Sequence, residues 1–124
     1  MGNCDCILVW HLDENEFNKH SIRRARKEHK CEECGKAIHP DDQYEYWAAK
    51  SEGQFWTAKT CLDCKSIRDA FYCEGWIFGK VLEKLREYLQ EVNGKVSDSC
   101  LLSLTPKARD RVCDMIQEVW DEED

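Results

Sequence analysis

The sequence predicts a small α+β protein in which a cysteine-bearing turn, a β-hairpin and a cysteine-bearing helix are followed by further helices. Two Cys-x-x-Cys pairs, at 31–34 and 61–64, have 26 residues between them. Two β-prone runs lie in that interval, and helical apolar periodicity dominates the later part of the chain. At 124 residues, with 42% hydrophobic and 35% charged residues, we expect a single folded domain over 1–124. It would comprise an N-terminal segment with a basic arm (1–30), a cysteine-bearing part (31–75) and a helical part (76–124).

The paired spacing of the cysteines predicts a metal site. Four thiolates in tetrahedral geometry suit Zn²⁺, and each Cys-x-x-Cys turn presents two sulfurs at the required separation. The N-terminus lacks the basic start of a secretory signal, so we expect a reducing compartment in which thiols bind metal more often than they pair. The odd count of nine cysteines also argues against a complete disulfide framework. Redox pairs and an iron–sulfur cluster are the alternatives. The predicted ligands of a structural Zn²⁺ are Cys31, Cys34, Cys61 and Cys64.

The residues around these cysteines predict how the site is built. Gly35 allows a sharp turn after the first pair, and Pro40-Asp41 carries turn chemistry. The runs "QYEYWAA" and "QFWTAKT" predict a hairpin around "KSEG". Thr60 is a candidate N-cap for a helix over "CLDCKSIRDAF", whose first turn would hold the second pair near the positive end of the helix dipole. This order is that of a treble-clef-like zinc finger. Flanking lysines could offset the charge of four thiolates on one cation: Lys30, Lys36, Lys59 and Lys65.

The chain after this helix is predicted to be mostly helical. Apolar residues at helical spacing predict a helix over 77–92, which Asn93-Gly94 would end. The stretch "SDSCLLSL" is compatible with an irregular segment or a short turn of helix. Thr105 as N-cap and Pro106 at the first helical position predict a last helix running to about residue 120. The apolar stripes of these helices are interpreted as core.

Four stretches carry a resemblance to a known group of proteins. They are "IRRARKEHKCEECGKAIHPDDQYEYW", "GQFWTAKTCLDCKSIRDAF", "GWIFGKVLEKLREYL" and "LTPKARDRVCDMIQEVW". Together they resemble a family of small zinc-finger proteins encoded by phages and prophages, over most of residues 22–120. The resemblance implies a phage origin, a zinc site at the four paired cysteines and an accessory role in the bacterial host, with no enzymatic activity to transfer. Where such proteins usually have Gly after Pro, this chain has Asp41, which affects the turn and not the ligands.

The remaining cysteines allow two interpretations. Cys4, Cys6 and Cys73, with His11 or another donor, are candidate ligands of a second zinc site. In the alternative, which we prefer, Cys73, Cys100 and Cys113 are buried small apolar residues and the N-terminal pair lies in a loosely held tail. Two further histidines, His29 and His39, stand near the first pair, where surface or supporting roles are expected.

The sequence predicts no enzyme. It contains no Gly-x-Ser-x-Gly, phosphate-binding loop or His-Glu-x-x-His motif. Four cysteines would close the coordination sphere that a catalytic zinc keeps open. An HNH-type nuclease would need a His–Asn–His set, and the hairpin region offers only His39. The paired carboxylates Glu32-Glu33 and Asp41-Asp42 are interpreted as solvated turn residues.

Charge gives two hypotheses for binding. The net charge of −7 opposes nonspecific nucleic-acid binding. A basic arm at 19–30, however, could contact phosphates beside the aromatic residues of the hairpin, or could instead form a solvated helix. The candidate nucleic-acid contacts are Arg23, Arg24, Arg26, Lys27 and Lys30. We favour the other hypothesis, a module that binds a host or phage protein in the bacterial cytoplasm. No apolar run is long enough to span a membrane.

Overall fold

The computed structural model describes residues 4–8, 17–73 and 75–122, and its architecture is mixed α+β as predicted. The strands are β1 (Phe17–Arg24), β2 (His29–Lys30), β3 (Ala37–Ile38), β4 (Gln43–Ser51) and β5 (Gln54–Cys61). The helices are α1 (Leu62–Phe71), α2 (Val81–Glu91), α3 (Asp98–Leu102) and α4 (Pro106–Glu122).

The predicted hairpin is the centre of a three-stranded antiparallel sheet with the order β1-β4-β5. Its two-residue turn is Glu52-Gly53, and both residues have positive φ, 52° and 80°. Two left-handed residues give the hairpin turn whose twist matches that of the flanking strands. Residues 19–24, predicted to begin a basic arm, are instead part of strand β1, which pairs with β4 from Phe17 opposite Lys50 to Arg24 opposite Gln43.

The first cysteine pair lies between β2 and β3, which form a separate two-stranded ribbon. Gly35 has φ 75°, and its N–H donates to the carbonyl of Cys31 at 3.0 Å. The Cys31 N–H in turn donates to Lys36 O at 3.0 Å. Asp41, in the following turn, also has φ 75°, a conformation that glycine adopts without steric cost.

The helix boundaries differ from the predicted ones at two places. Helix α1 has Cys61 and not Thr60 as its N-cap, because the Cys61 sulfur accepts the Cys64 N–H while Thr60 stays in β5 opposite Glu45. Helix α2 starts at Val81 rather than at residue 77, since Gly79 in between has φ 84°.

The other helical predictions are confirmed. The ambiguous stretch forms the short helix α3, capped by the Ser97 hydroxyl. The side-chain oxygen of Thr105 accepts the Ala108 N–H at the start of α4. Helices α1, α2 and α4 pack around one apolar core that also includes Ile7 and Cys100 of α3, and a second, smaller core surrounds the paired cysteines.

Candidate metal centre

The two Cys-x-x-Cys pairs meet in space as predicted. The sulfur atoms of Cys31, Cys34, Cys61 and Cys64 all lie within 4.8 Å of one another. In a tetrahedral site with metal–sulfur bonds of about 2.3 Å, sulfurs stand about 3.8 Å apart. The Cys34 and Cys61 sulfurs are 3.9 Å apart. The four sulfurs are therefore placed to hold one metal ion, and this is the one such cluster found among the described residues.

Backbone N–H groups surround the Cys31 and Cys61 sulfurs. Cys31 Sγ accepts hydrogen bonds from the N–H groups of Glu33 and Cys61, both at 3.4 Å. Cys61 Sγ accepts from the Cys64 N–H, also at 3.4 Å. Such donors stabilise a thiolate and orient it, as the groups around a metal ligand do. The turn at Gly35 and the first turn of α1 are therefore part of the fold and also supply hydrogen-bond donors to the sulfurs.

The sulfurs also interact with one another. Hydrogen bonds from the thiols of Cys61 and then Cys64 lower the pKa of Cys31 far below its ordinary value. The hydrogen bond to Cys31 raises the pKa of Cys61 to about 12. Hydrogen bonds to Cys31 and then to Cys61, with burial after them, raise the pKa of Cys64. Binding of one cation to all four sulfurs would require each of these thiols to lose its proton.

The carboxylate of Glu33 joins this centre to the helical core. Its two oxygens accept the N–H groups of Gly79 at 2.9 Å and Val81 at 3.1 Å, at the start of α2. Burial raises the pKa of Glu33, against the effect of these two hydrogen bonds. The expectation that Glu32-Glu33 is a solvated pair was therefore wrong for Glu33, because its partners lie far along the chain. Glu32 is exposed, as expected.

The lysines predicted to offset the thiolate charge differ in what they contact. Lys65 forms an ion pair with Asp69, one turn along α1. The Lys59 ammonium lies 5.9 Å from the centre of the Tyr46 ring. Lys36 lines a groove of about 910 Å³ beside the centre, between the β2–β3 ribbon and α4. That groove has both basic and acidic walls, including Lys107, Arg111, Asp110 and Asp114.

The candidate second metal site, Cys4, Cys6 and Cys73, is not assembled as predicted. Two disulfides are present instead: Cys6–Cys73, with Cα atoms 5.5 Å apart, and Cys4–Cys100, with Cα atoms 4.8 Å apart. The expectation that these thiols are unpaired was wrong in this structure, because folding brings together cysteines 67 and 96 residues apart. Cys100 is buried as expected, whereas Cys73 and Cys113 are exposed.

The histidines near the first cysteine pair contact other side chains. His29 packs its ring 5.4 Å from that of Tyr44. His39 is exposed and lies 3.5 Å from Glu28. Neither joins the four-cysteine cluster, in agreement with the surface or supporting roles predicted for them. His11 lies outside the described residues.

The five candidate nucleic-acid contacts do not share one surface. Side chains alternate along a strand, so Arg23 and Arg24 lie on opposite faces of the sheet. Arg26 and Lys27 follow β1 in a loop, and Lys30 is in the separate β2–β3 ribbon. All five are exposed. The five residues are separated by the arrangement of the strands, which the sequence did not predict.

One face of the sheet is cationic and aromatic. The register places six of its side chains together, and we call this set the cationic sheet face: Lys19, Arg23, Tyr46, Lys50, Phe55 and Lys59. The Arg23 guanidinium stacks 3.8 Å above the Tyr46 ring, and the Lys50 ammonium is 5.4 Å from the Phe55 ring. Phe55 is 75% exposed. The register places no Asp or Glu from the described strands on this face.

The opposite face is closed by aromatic residues and a buried ion pair. Trp47 stacks on His20 at 4.4 Å and meets Trp76 and Phe78 edge-on. Arg68, in α1, donates to both oxygens of the Glu45 carboxylate, at 2.6 and 2.8 Å. Of the hairpin aromatics considered for base stacking, Trp47 and Trp56 therefore lie on the packed face, and Tyr44 is buried.

No family model, curated protein or solved structure matches this chain. The class that fold and site define is a small α+β protein with a four-cysteine cluster able to hold a metal ion. None of the helices in the described part of the chain has both the length and the apolar character needed to cross a membrane.

Proposed function

We propose that this protein is a zinc-stabilised, non-catalytic binding module of the treble-clef type, and that its partner is another protein. The metal choice rests on the ligand set, because four thiolates at tetrahedral separation suit Zn²⁺. A site with four cysteine ligands has no open position for a substrate or an activated water. The order of knuckle, hairpin and ligand-bearing helix supports the treble-clef description.

The observation that carries the binding role is the Arg23–Tyr46 stack on the cationic sheet face. Arginine and tyrosine are enriched at the energetic centres of protein interfaces, since both cover apolar area and keep a polar end. A stacked pair is already ordered, so binding costs less side-chain entropy. Phe55 adds an exposed apolar group on the same face. An acidic patch with apolar residues at its centre is the complementary partner surface.

The setting proposed for this binding comes from the resemblance to phage-encoded zinc-finger proteins, which implies an accessory role in the bacterial host. That resemblance supports a bacterial cytoplasmic setting, and within it we propose a host enzyme or defence component as the target. A reducing compartment is also the one in which a four-thiolate centre persists.

The second candidate function is binding of single-stranded nucleic acid by the same face. The observation that favours it is the combination of Lys19, Arg23 and Lys59 with the Tyr46 ring, on a face where the described strands place no carboxylate. Such faces can track phosphates and stack bases. Against it, the face carries few cations and the whole chain has a net charge of −7, which weakens attraction to a polyanion.

The deciding experiment uses two charge reversals on adjacent residues. Arg23→Glu removes the stack, whereas Arg24→Glu makes the same charge change on the other face of the same strand. Tagged wild-type protein and both variants are used to capture proteins from host lysate, and the captured protein is purified and its affinity measured. We expect Arg23→Glu to weaken the purified complex at least tenfold and Arg24→Glu to leave it within about threefold.

A gel-shift titration at about 150 mM salt tests the second candidate with single-stranded DNA and RNA. We expect no micromolar binding. Binding at micromolar concentration or below that Arg23→Glu abolishes and Arg24→Glu retains would replace the protein-binding proposal with the nucleic-acid one. A protein complex that both variants weaken equally would contradict the assignment to this face.

A further inference from the structure

A second set of four cysteines lies at the helical core, in two close pairs. Cys4 and Cys6 are two residues apart, so their Cα atoms are at most about 7 Å from each other. The Cα of Cys73 lies 5.5 Å from that of Cys6, and the Cα of Cys100 lies 4.8 Å from that of Cys4. The four cysteines therefore form two close pairs whose N-terminal members are two residues apart in the chain.

The segment that carries Cys4 and Cys6 is docked by contacts other than the disulfides. The Ile7 N–H donates to the carbonyl of Phe71, the last residue of α1, at 2.7 Å. The Ile7 side chain is buried in the helical core. The Tyr88 hydroxyl donates to Asp5 Oδ2 at 3.1 Å. These contacts hold the segment with Cys4 and Cys6 beside α1 and α2 without help from sulfur.

The other two sulfurs come from well-anchored positions. Cys73 is two residues beyond the end of α1. Cys100 lies in α3, where its N–H donates to the Ser97 hydroxyl at 3.1 Å and its side chain is buried. Four sulfurs held by the fold in this way satisfy the ligand count of a closed tetrahedral site.

We infer that Cys4, Cys6, Cys73 and Cys100 form a second structural site for a thiophilic divalent cation, Zn²⁺, in the reduced protein. The sequence alone provided three of these residues, and the fold adds Cys100 as the fourth donor. The inference does not depend on the proposed function. A compartment that keeps the cysteines of the first cluster as free thiols would also favour reduction of the two disulfides.

The step from disulfides to the metal site balances with a dithiol as reductant. Two disulfides take up four electrons and four protons from two dithiol molecules, each of which becomes a disulfide. The four resulting thiols then release four protons as one Zn²⁺ binds four thiolates. The cation would join the N-terminal segment to α1 and α3, much as the first centre joins the β2–β3 ribbon to α1.

The test counts zinc in the full chain. Protein is reduced with dithiothreitol under anaerobic conditions, supplied with Zn²⁺ alone, freed of excess metal and analysed by mass spectrometry for metal and for cysteines that iodoacetamide modifies. We expect two zinc ions per chain and rapid modification of Cys113 only, since it is the exposed free cysteine outside both sets. The alkylation pattern assigns any loss of zinc to one set or the other.

Two variants sharpen the result. Cys73→Ser, at an exposed position, should reduce the count from two to one and expose Cys4, Cys6 and Cys100 to iodoacetamide. Cys113→Ser should keep two. If the reduced wild-type protein has these four cysteines modified while the first set stays protected, the second site does not exist. The inference would also be overturned if both disulfides survived treatment with dithiothreitol and Zn²⁺. The wild-type result decides even if Cys73→Ser fails to fold.

Discussion

The Glu33 carboxylate accepts a hydrogen bond from the backbone N–H of Val81 at 3.1 Å, across 48 residues of sequence. Its other oxygen accepts the Gly79 N–H. The first N–H groups of a helix have no partner within the helix, and α2 has no side-chain cap at its own N-cap residue, Lys80. A residue of the cysteine knuckle therefore caps a helix of the other core.

This cap predicts a stability difference between neighbouring glutamates. Glu33→Ala should lower the free energy of unfolding by about 1–2 kcal/mol, because it leaves the part-buried Val81 N–H and the exposed Gly79 N–H without this acceptor. Glu32→Ala makes the same change at an exposed neighbour and should stay within about 0.5 kcal/mol. Urea denaturation of the zinc-loaded proteins measures both. Equal losses for the two variants would contradict the capping role.

The buried ion pair between Arg68 and Glu45 predicts non-additive mutations. Burial lowers the pKa of Arg68, but hydrogen bonds and charge from Glu45 and Asp69 outweigh it and raise that pKa. Arg68→Met should cost about 3–5 kcal/mol, because it leaves the Glu45 carboxylate buried without its partner. The double variant Arg68→Met/Glu45→Gln should cost clearly less than the sum of the single changes.

A double-mutant cycle in urea checks this coupling. Asp69→Asn is the control, since Asp69 contacts the same guanidinium at 3.3 Å from a half-exposed position. We expect that change to cost less than about 1 kcal/mol. A cost for Arg68→Met below that of the control would show that the pair contributes little to stability.

The left-handed backbone at Asp41 predicts a stabilising substitution. Asp41 has φ 75°, where a residue with a Cβ atom is strained and glycine is not. Asp41→Gly should raise the free energy of unfolding by about 0.5–1 kcal/mol. Asp42→Gly is the matched control and should destabilise, because it removes the carboxylate that accepts the His39 N–H at 3.1 Å. Thermal unfolding shows whether each variant has a higher or a lower melting temperature than the wild type. A lower melting temperature for Asp41→Gly would contradict the prediction.

The four-cysteine centre predicts that loss of the metal also unfolds the β2–β3 ribbon beside it. Cys31→Ser should remove the ion and unfold the β2–β3 ribbon, since structural zinc supplies on the order of 10 kcal/mol to sites of this kind. Cys113→Ser changes an exposed free cysteine in the same way and should have no effect. Metal analysis and amide exchange measure the outcome. A Cys31→Ser protein without metal and with protected ribbon amides would exclude a structural role.

Local chemistry explains which predictions about the fold are confirmed. The alternation of "QYEYWAA" and "QFWTAKT" around Glu52-Gly53 determines a hairpin from neighbouring residues alone, and Thr105-Pro106 starts α4 for the same reason. The start of α1 was missed by one residue because the sulfur of Cys61, and not the hydroxyl of Thr60, accepts the N–H that a cap must satisfy.

The sequence by itself determined the first four-cysteine set, because Cys-x-x-Cys spacing is a local property and two such pairs imply one site. Only the tertiary structure decided that Cys4 meets Cys100 and that Arg23 and Arg24 face opposite ways. It also decided that Glu33 caps α2 and that Arg68 is buried against Glu45. These relationships depend on sheet register and on contacts between residues 23 to 96 positions apart, which no local pattern encodes.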